Sequence, residues 1–451
     1  MPDPRRSDKR AITVVGGGLA GCEAAWRLAE SGYDVLLYEM RPRVLTPAHR
    51  TDRLAELVCS NSFKSEERVN AHGLLKAELR EMGSLLLRIA DEARVPAGAA
   101  LAVDRDIFSA RVTRAVESHP KVRIVREEIR ALPDPPAIVA SGPLTSSALF
   151  NSIRARLGGE GLFFFDAISP VVAAESIDGS HSFRASRYGK GEDDAYINCP
   201  LDAKEYEDFH AALLRGEIYR THDWDNVPYF EGCLPIEVLA ARGLDALRFG
   251  PMKPVGLRDP RTGERPHAVV QLRQEDRAGQ MWSLVGFQTR MRYLEQRRAI
   301  ELIPALRTVE ILRYGQIHRN SYINFPALLS AHGSPPDSPG LIFAGQLTGV
   351  EGYIESAASG LLAALNIDRL QGGLEAALPP PTTMLGGLLR YLREADPSNF
   401  QPMNANFGLL DPLERHVRGK RERREILAAR AIEELRDWLR GALVVTARAG
   451  R

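Results

Sequence analysis

Residues Ile12 to Glu39 read ITVVGGGLAGCEAAWRLAESGYDVLLYE, and this stretch decides the fold. Ile12–Val15 is a short β-branched run suited to a buried parallel strand. Gly16, Gly18 and Gly21 then satisfy G-x-G-x-x-G, with Gly17 as an extra glycine inside the turn. A helical stretch from Cys22 to Glu30 follows, then Gly32, then a second apolar run, Val35–Tyr38, ending in Glu39. The first glycine permits a tight strand-to-helix turn, and the second lets the backbone approach a pyrophosphate. The third allows close helix–strand packing, while the free N–H groups at the helix start favour phosphate charge. Glu39 lies 18 residues beyond Gly21, where an acid accepts a ribose hydroxyl. A lone glycine motif would be weak, but two flanking strands and an acid in register make a dinucleotide site the expectation.

Working outward, the 451 residues leave room for two or three domains. Hydrophobic residues make up 44% and charged residues 26%, as in an ordinary globular chain. No apolar run reaches the length of a membrane span, and the basic MPDPRRSDKR start has no signal-peptide core. A cytoplasmic protein without membrane partners is therefore expected. A net charge of +1 says nothing for or against nucleic acid; an RNA partner would need a local basic patch. The four cysteines, Cys22, Cys59, Cys199 and Cys233, form no C-x-x-C, so neither a metal site nor a disulfide scaffold is indicated.

Beyond Glu39, the segment LAELVCSNSFKSEE reads as a polar loop carrying Cys59. From Leu74 one helix is signalled by Leu75, Leu79, Met82, Leu86 and Ile89. Leu101–Asp104 and Val122–Val125 read as strands around a helix near Ser109–Glu117, and Ala137–Ala140 as a further buried strand. From about Asn151 to Phe325 the βα alternation is lost. After the Gly- and Pro-rich linker His332–Gly340 it returns in LIFAGQLTGVEGYIESAASGLLAALN. The expected organisation is one Rossmann-like α/β domain, glutathione-reductase-like, interrupted by an inserted α+β domain. The expected boundaries are 1–150, 151–330 and 331–451, the last with a C-terminal helix. The late strand, glycine turn and helix would return the chain to a flavin. Gly345, Gly349, Gly352, Glu355 and Ser356 are placed for that. Tyr353 is placed either to stack on a flavin or pterin ring or to cap the helix start.

Taken together, VVGGGLAGCEAAW, ELVCSNSF, GLLKAELR, VPAGAALAVDRD, YFEGCLPIE, GPMKPVGL, AVVQLRQED, GQLTGVEGYIESAA and QPMNANFGL closely resemble the folate- and FAD-dependent tRNA (uracil-5-)-methyltransferases over nearly the whole chain. Departures are mild: Ser141 stands where the family pattern has threonine, and HRNSYINFP differs at Ser321, Tyr322 and Phe325. The resemblance implies transfer of the methylene of 5,10-methylenetetrahydrofolate to C5 of a T-loop uridine in tRNA. It also implies FAD, reduced by NADH or NADPH, as the source of electrons.

That chemistry needs a thiolate, because uracil C5 is a poor nucleophile until a sulfur adds at C6. Cys59, between Val58 and Ser60-Asn61-Ser62, and Cys233, in Glu231-Gly232-Cys233-Leu234-Pro235, lie in loops that suit reactive thiols. Position alone leaves packing as an equal reading for both; the resemblance makes them the catalytic candidates. Cys22 and Cys199 read as packing. Cofactor contacts are expected from Gly16, Gly17, Gly18, Gly21, Glu39, Arg41, Gly345, Gly349, Tyr353 and Glu355. Asn61 is a candidate near the thiol. Asp104 suits a turn as well as a flavin. Lys253 and Arg258 are the RNA candidates; Arg415, Arg418, Lys420, Arg421, Arg423 and Arg424 sit among acids and read as a solvated face. Trp224, Tyr229 and Phe230 could stack on a base but equally fill a core.

Three other readings compete. A flavoprotein modifying the wobble uridine with a partner enzyme would carry an added C-terminal helical domain. A small-molecule FAD/NAD(P)H oxidoreductase would show a second G-x-G-x-x-G. It would also have no use for two loop cysteines; a flavin-bearing RNA-binding or folding factor is the non-enzymatic alternative.

Overall fold

Ile12–Val15 forms the middle of a five-stranded, all-parallel sheet. Its order across the sheet is Leu341–Phe343, Ala137–Val139, Ile12–Val15, Val35–Tyr38, Val122–Val125. The computed structural model describes residues 11–158, 162–189, 195–219, 234–414 and 417–442; of residues 162–168 and 317–319 it describes the backbone alone. Ile12, Val14, Val35 and Leu37 are buried beneath helices, as a parallel sheet covered on both faces requires. Two helices, Leu19–Glu30 and Tyr353–Gln371, pack closely against each other. A Cβ on Gly360 would stand 2.1 Å from the Ala20 carbonyl oxygen, so only glycine permits that approach.

The chain leaves this domain after helix Ser147–Leu157, whose Leu149, Phe150 and Ile153 still pack beneath the parallel sheet. It returns at Ile323, which joins the same cluster. The exit and return strands, Leu162–Ile168 and Gln316–Tyr322, pair antiparallel as a two-stranded ribbon. Beyond the ribbon lies a six-stranded antiparallel sheet built from residues between Val171 and Arg313. One face, with Ile197, Cys199, Leu201, Val270, Leu272 and Trp282, forms an apolar core with helices Ala203–Arg215 and Tyr293–Glu301. The alternate residues Tyr196, Asn198, Gln271, Arg273 and Ser283 occupy the other face, as the two-residue period of a strand dictates. That polar face meets the first domain: Tyr196 Oη donates to the Ala97 carbonyl at 3.1 Å.

Two local expectations differ from what is observed. The helix signalled from Leu74 is two helices, Ala71–Glu81 and Leu85–Glu92, separated at Gly83, whose φ is +79°. The second helix starts afresh because Ser84 Oγ accepts from Leu87 N, and the buried Glu23 carboxylate accepts from Leu85 N and Leu86 N. The apolar face runs through the break, which is why spacing alone shows a single helix. The other difference lies in LAELVCSNSFKSEE, where the expected loop contains a strand. Ala100–Val103 lies in a small antiparallel sheet with Arg94–Val95 and with Ser62–Ser65, part of the segment expected to be loop. Asp104 caps helix Arg105–Ser118 through Ile107 N. The terminal helix Lys420–Ala442 buries Leu427, Ala428, Ala431, Ile432, Leu435 and Leu439 on one face. Among the described residues, no helix is long and apolar enough to cross a membrane.

Candidate active site

The glycine turn opens a cleft of about 150 Å³ at the carboxyl ends of the parallel strands. Gly16 has φ +103°, and a Cβ there would stand 2.4 Å from Ala140 O. A Cβ on Gly21 would stand 1.8 Å from Gly16 O, so this position is reserved for helix–strand contact. A Cβ on Gly17 would press into Leu54 and Glu39. Gly18 is different: a Cβ there would have no atom within 4 Å. It faces the cleft, with the N-terminus of helix Leu19–Glu30 directly behind it.

Glu39 and Arg41 wall the cleft as a buried pair. The Glu39 carboxylate accepts from Gly17 N at 3.0 Å, Arg41 N at 2.9 Å, Arg41 Nε at 2.9 Å and Arg41 Nη2 at 3.1 Å. Burial pushes this carboxyl up, but the bonds and charge of Arg41 outweigh burial and hold it below its usual range. Arg41 Nη1 reaches on to Thr51 O and Glu56. The acid in ribose register is thus fully engaged within the protein, and its acceptor sites bind turn and arginine together.

The late glycine segment returns to the same place: Gly345, Gln346, Tyr353 and Ser356 line the cleft, and Gly345 and Gly349 take positive φ. From there Tyr353 reaches across to the thiol loop. Its hydroxyl oxygen accepts from Cys59 N at 2.9 Å, Ser60 N at 3.1 Å and Cys59 Sγ at 3.0 Å. Burial drives its own ionisation well above the ordinary range. One aromatic ring therefore bridges the nucleotide cleft and a half-buried thiol.

Behind the thiol, the loop is held by the inserted domain. Asn61, fully buried, donates from Nδ2 to Val103 O and to Gln274 O. Its Oδ1 accepts from Arg273 Nε at 2.8 Å, and Arg273 Nη2 donates to Ser60 Oγ at 2.9 Å. Arg105 donates from Nη1 to Leu57 O and from Nε to Glu275. Asp104 accepts from Arg277 N, so the same cap also ties the domains together.

The structure brings together Gly16, Gly17, Gly18, Glu39, Arg41, Gly345 and Tyr353 around one cleft and sets Cys59 at its edge. Glu355 does not line that cleft: its Oε1 accepts from Ala405 N at 3.0 Å and lies 3.4 Å from His72. Gly349 lies against Phe400 instead. Cys233 lies outside the described residues, as do Trp224, Tyr229, Phe230 and Arg415. Cys22 and Cys199 are buried; burial pushes the Cys199 thiol up to about 12 and that of Cys22 higher still. Lys253 and Arg258 are exposed on the inserted domain, and Arg258 shares a shallow cleft with Arg184 and Arg265. In the terminal helix, Arg421 pairs with Glu425, and Arg424 lies over the Phe407 ring. Sequence reasoning passed over Thr46, His49, Glu56 and Thr145 in the cleft, and Arg105, Arg273 and Glu275 behind the thiol. Only AVVQLRQED, as a motif, pointed near the last two. Among the described residues no cluster of His, Cys, Asp and Glu could hold a metal ion.

Set beside known proteins, residues 11–375 match the family model described as Glucose inhibited division protein A. The chain is 55% identical over 430 residues to methylenetetrahydrofolate–tRNA-(uracil-5-)-methyltransferase TrmFO of Desulforudis audaxviator, covering 95% of this chain and 98% of that protein. It is 54% identical over 428 residues to the protein of the same name from Moorella thermoacetica, covering 95% and 97%. Its fold is similar to the crystal structure of Aquifex aeolicus GidA, with a TM-score of 0.67 at 15% identity, over 96% of this chain and 74% of that one.

Proposed function

The chain belongs to the methylenetetrahydrofolate–tRNA-(uracil-5-)-methyltransferase family, and from that premise we propose that it transfers the one-carbon unit of 5,10-methylenetetrahydrofolate to C5 of the T-loop uridine of tRNA. The observation that carries this reading is Tyr353, which lines the nucleotide cleft while its hydroxyl holds the Cys59 thiol. A methylation that needs both a redox cofactor and a thiol requires such a meeting point.

FAD fits the cleft. Gly18 leaves open space where a pyrophosphate would approach, and Gly16, Gly17 and the start of helix Leu19–Glu30 would hold it. The Glu39–Arg41 pair would wall the adenosine end and brace the turn beneath it, and Gly345, Ser356 and Tyr353 would hold the ring end. When bound, FAD reduced by NADH or NADPH supplies the electrons that convert a methylene to a methyl group.

The chain's own part is thiol chemistry and positioning. The Cys233 thiolate adds to uracil C6, and the electron pair displaced toward C5 makes that carbon a nucleophile. Once C5 has bonded to the one-carbon unit and lost its proton, elimination at C6 releases the thiol. Cys59 guards the one-carbon side of the site. Lys253 and Arg258 contact the RNA backbone, and the setting is cytoplasmic, where tRNA is found. A single-turnover reaction with labelled methylenetetrahydrofolate and a T-arm RNA tests the reading. Label is expected at C5 of the uridine; reduction without label in the RNA would overturn it.

A further inference from the structure

We infer that Arg105, Arg273 and Arg313, gathered around Glu275 where the two domains meet, seat a phosphate of the RNA strand beside the Cys59 loop. The inference rests on the tRNA reading above and adds to it a binding site made of residues outside the nucleotide cleft.

Two guanidinium groups approach one carboxylate here, and the strand register Arg273, Ser283, Val171, Arg313 sets the third in the same row of the sheet. Arg105 Nε lies 2.6 Å from Glu275 Oε2, and Arg273 Nη2 lies 3.8 Å from Glu275 Oε1. Burial raises the Glu275 carboxyl, but the charges of Arg105, Arg273 and Arg313 win and keep it ionised. Even so, positive charge stays in excess. Arg105 Nη2 and both Nε and Nη2 of Arg313 are buried with no hydrogen-bond partner, against a single buried acceptor, Glu275 Oε1, that also lacks one. Burying donors of charged groups unpaired is costly, and an incoming anion would complete them. None of the three arginines lines the glycine cleft, so the pyrophosphate there does not account for them.

The neighbourhood selects the anion. Arg105 holds Leu57 O and Val58 O, and Arg273 holds Ser60 and Asn61, so the two clamp the residues on either side of Cys59. A base brought to this thiol carries its own phosphates at covalently fixed distances. Guanidinium groups bind phosphate with paired donors, and here two of them are already oriented by protein contacts. Arg313, with its unpaired donors, is the group that the phosphate completes.

The test uses the FAD-loaded enzyme and a T-arm RNA hairpin. Arg313→Gln should weaken RNA binding about tenfold and reduce the slope of log Kd against log salt by about 0.7–0.9, the loss of one phosphate contact. Arg313→Lys should keep the slope. In the wild-type enzyme, one neutral methylphosphonate next to the target uridine should cost the same factor, and Arg313→Gln should add nothing to that loss. The KM for methylenetetrahydrofolate should not change. An unchanged salt slope, or full wild-type affinity for every methylphosphonate RNA, overturns the inference. A rise in folate KM without loss of RNA affinity would assign the site to the folate carboxylates instead and also overturns it. If the wild-type enzyme neither binds nor methylates the unmodified hairpin, the functional reading itself fails.

Discussion

The glycine turn Gly16–Gly21 and the thiol loop Leu54–Asn61 border the same cleft but are built on opposite principles. The turn is specified by shape. Gly16 and Gly21 are demanded by carbonyl oxygens standing 2.4 and 1.8 Å from where a Cβ would be, Gly17 by the Leu54 and Glu39 side chains, and the one open position, Gly18, faces the cleft. The loop is specified by partners. Cys59 and Ser60 are held by Tyr353, 294 and 293 residues away, and Asn61 by Gln274 and Arg273, more than 210 residues away. A turn made by exclusion survives as a motif that residue types alone reveal. A loop made by pairing takes its meaning from the far end of the chain.

The thiols carry the largest expected effect. Cys59→Ala and Cys233→Ala should each lower methyl transfer on the order of 10³-fold or more while the protein stays yellow, since neither residue belongs to the turn. With 5-fluorouridine in the T-loop, elimination should stall, and peptide mapping should find the covalent adduct on Cys233. Full methyl transfer by both variants would exclude thiol catalysis by this pair. At the turn the two glycine classes should separate. Gly18→Val should fold and lose flavin affinity by about 1–3 kcal/mol, read as colourless protein, because only a ligand meets the new side chain. Gly21→Val should fail to fold, because its side chain meets the Gly16 carbonyl. Flavin retained in full by folded Gly18→Val would move the cofactor away from this turn.

A smaller effect is expected at the bridge between the two regions. Tyr353→Phe leaves Cys59 N and Ser60 N without their acceptor and should lower stability by about 1–2 kcal/mol in urea unfolding. The Cys59 thiol also loses its contact with the Tyr353 hydroxyl, so its alkylation rate, followed by mass spectrometry, should change while flavin stays bound. An unchanged rate would mean that the tyrosine does not control the thiol.

The same contrast explains what was legible in the sequence. Gly16, Gly18, Gly21 and the parallel strands were readable because steric exclusion and buried apolar runs leave residue-type signatures. The break at Gly83 was not, because Met82 and Leu86 keep the apolar spacing across it. Glu39 was correctly located at the cleft, but its saturation by Arg41 depends on a neighbouring side chain that the motif does not mention. Glu355 follows the glycine turn just as a cofactor ligand would, yet it points to Ala405 N, because the chain returns there 50 residues later. Arg313 lies in none of the motifs, and VPAGAALAVDRD, which contains Arg105, does not show what that arginine meets. They become a site only when the inserted domain closes on the first.

The last and smallest effect concerns His72, which ties the two regions together a second time. Its Nε2 lies 3.1 Å from Nζ of Lys64, in the strand after the thiol loop, and 3.4 Å from Oε1 of Glu355, in the helix after Tyr353. The two contacts make opposite demands. A protonated imidazole would pair with Glu355, whereas a neutral one accepts a hydrogen bond from the lysine. The neutral form is favoured: burial first, then the charges of Lys64 and Lys76, lower its pKa to about 3. In the unfolded chain the imidazole titrates near 6.5. Above that pH neither state binds the proton and the stability is fully present. As pH falls from about 6.5 toward 3, only the unfolded chain takes up the proton, and stability should decline by up to about 1.4 kcal/mol per pH unit. His72→Gln keeps an acceptor for Lys64 and removes the titration, so its urea midpoint should fall less steeply than wild type between pH 6 and pH 4. Equal slopes would show that His72 is charged in the folded protein. The link between loop and helix would then be an ion pair to Glu355.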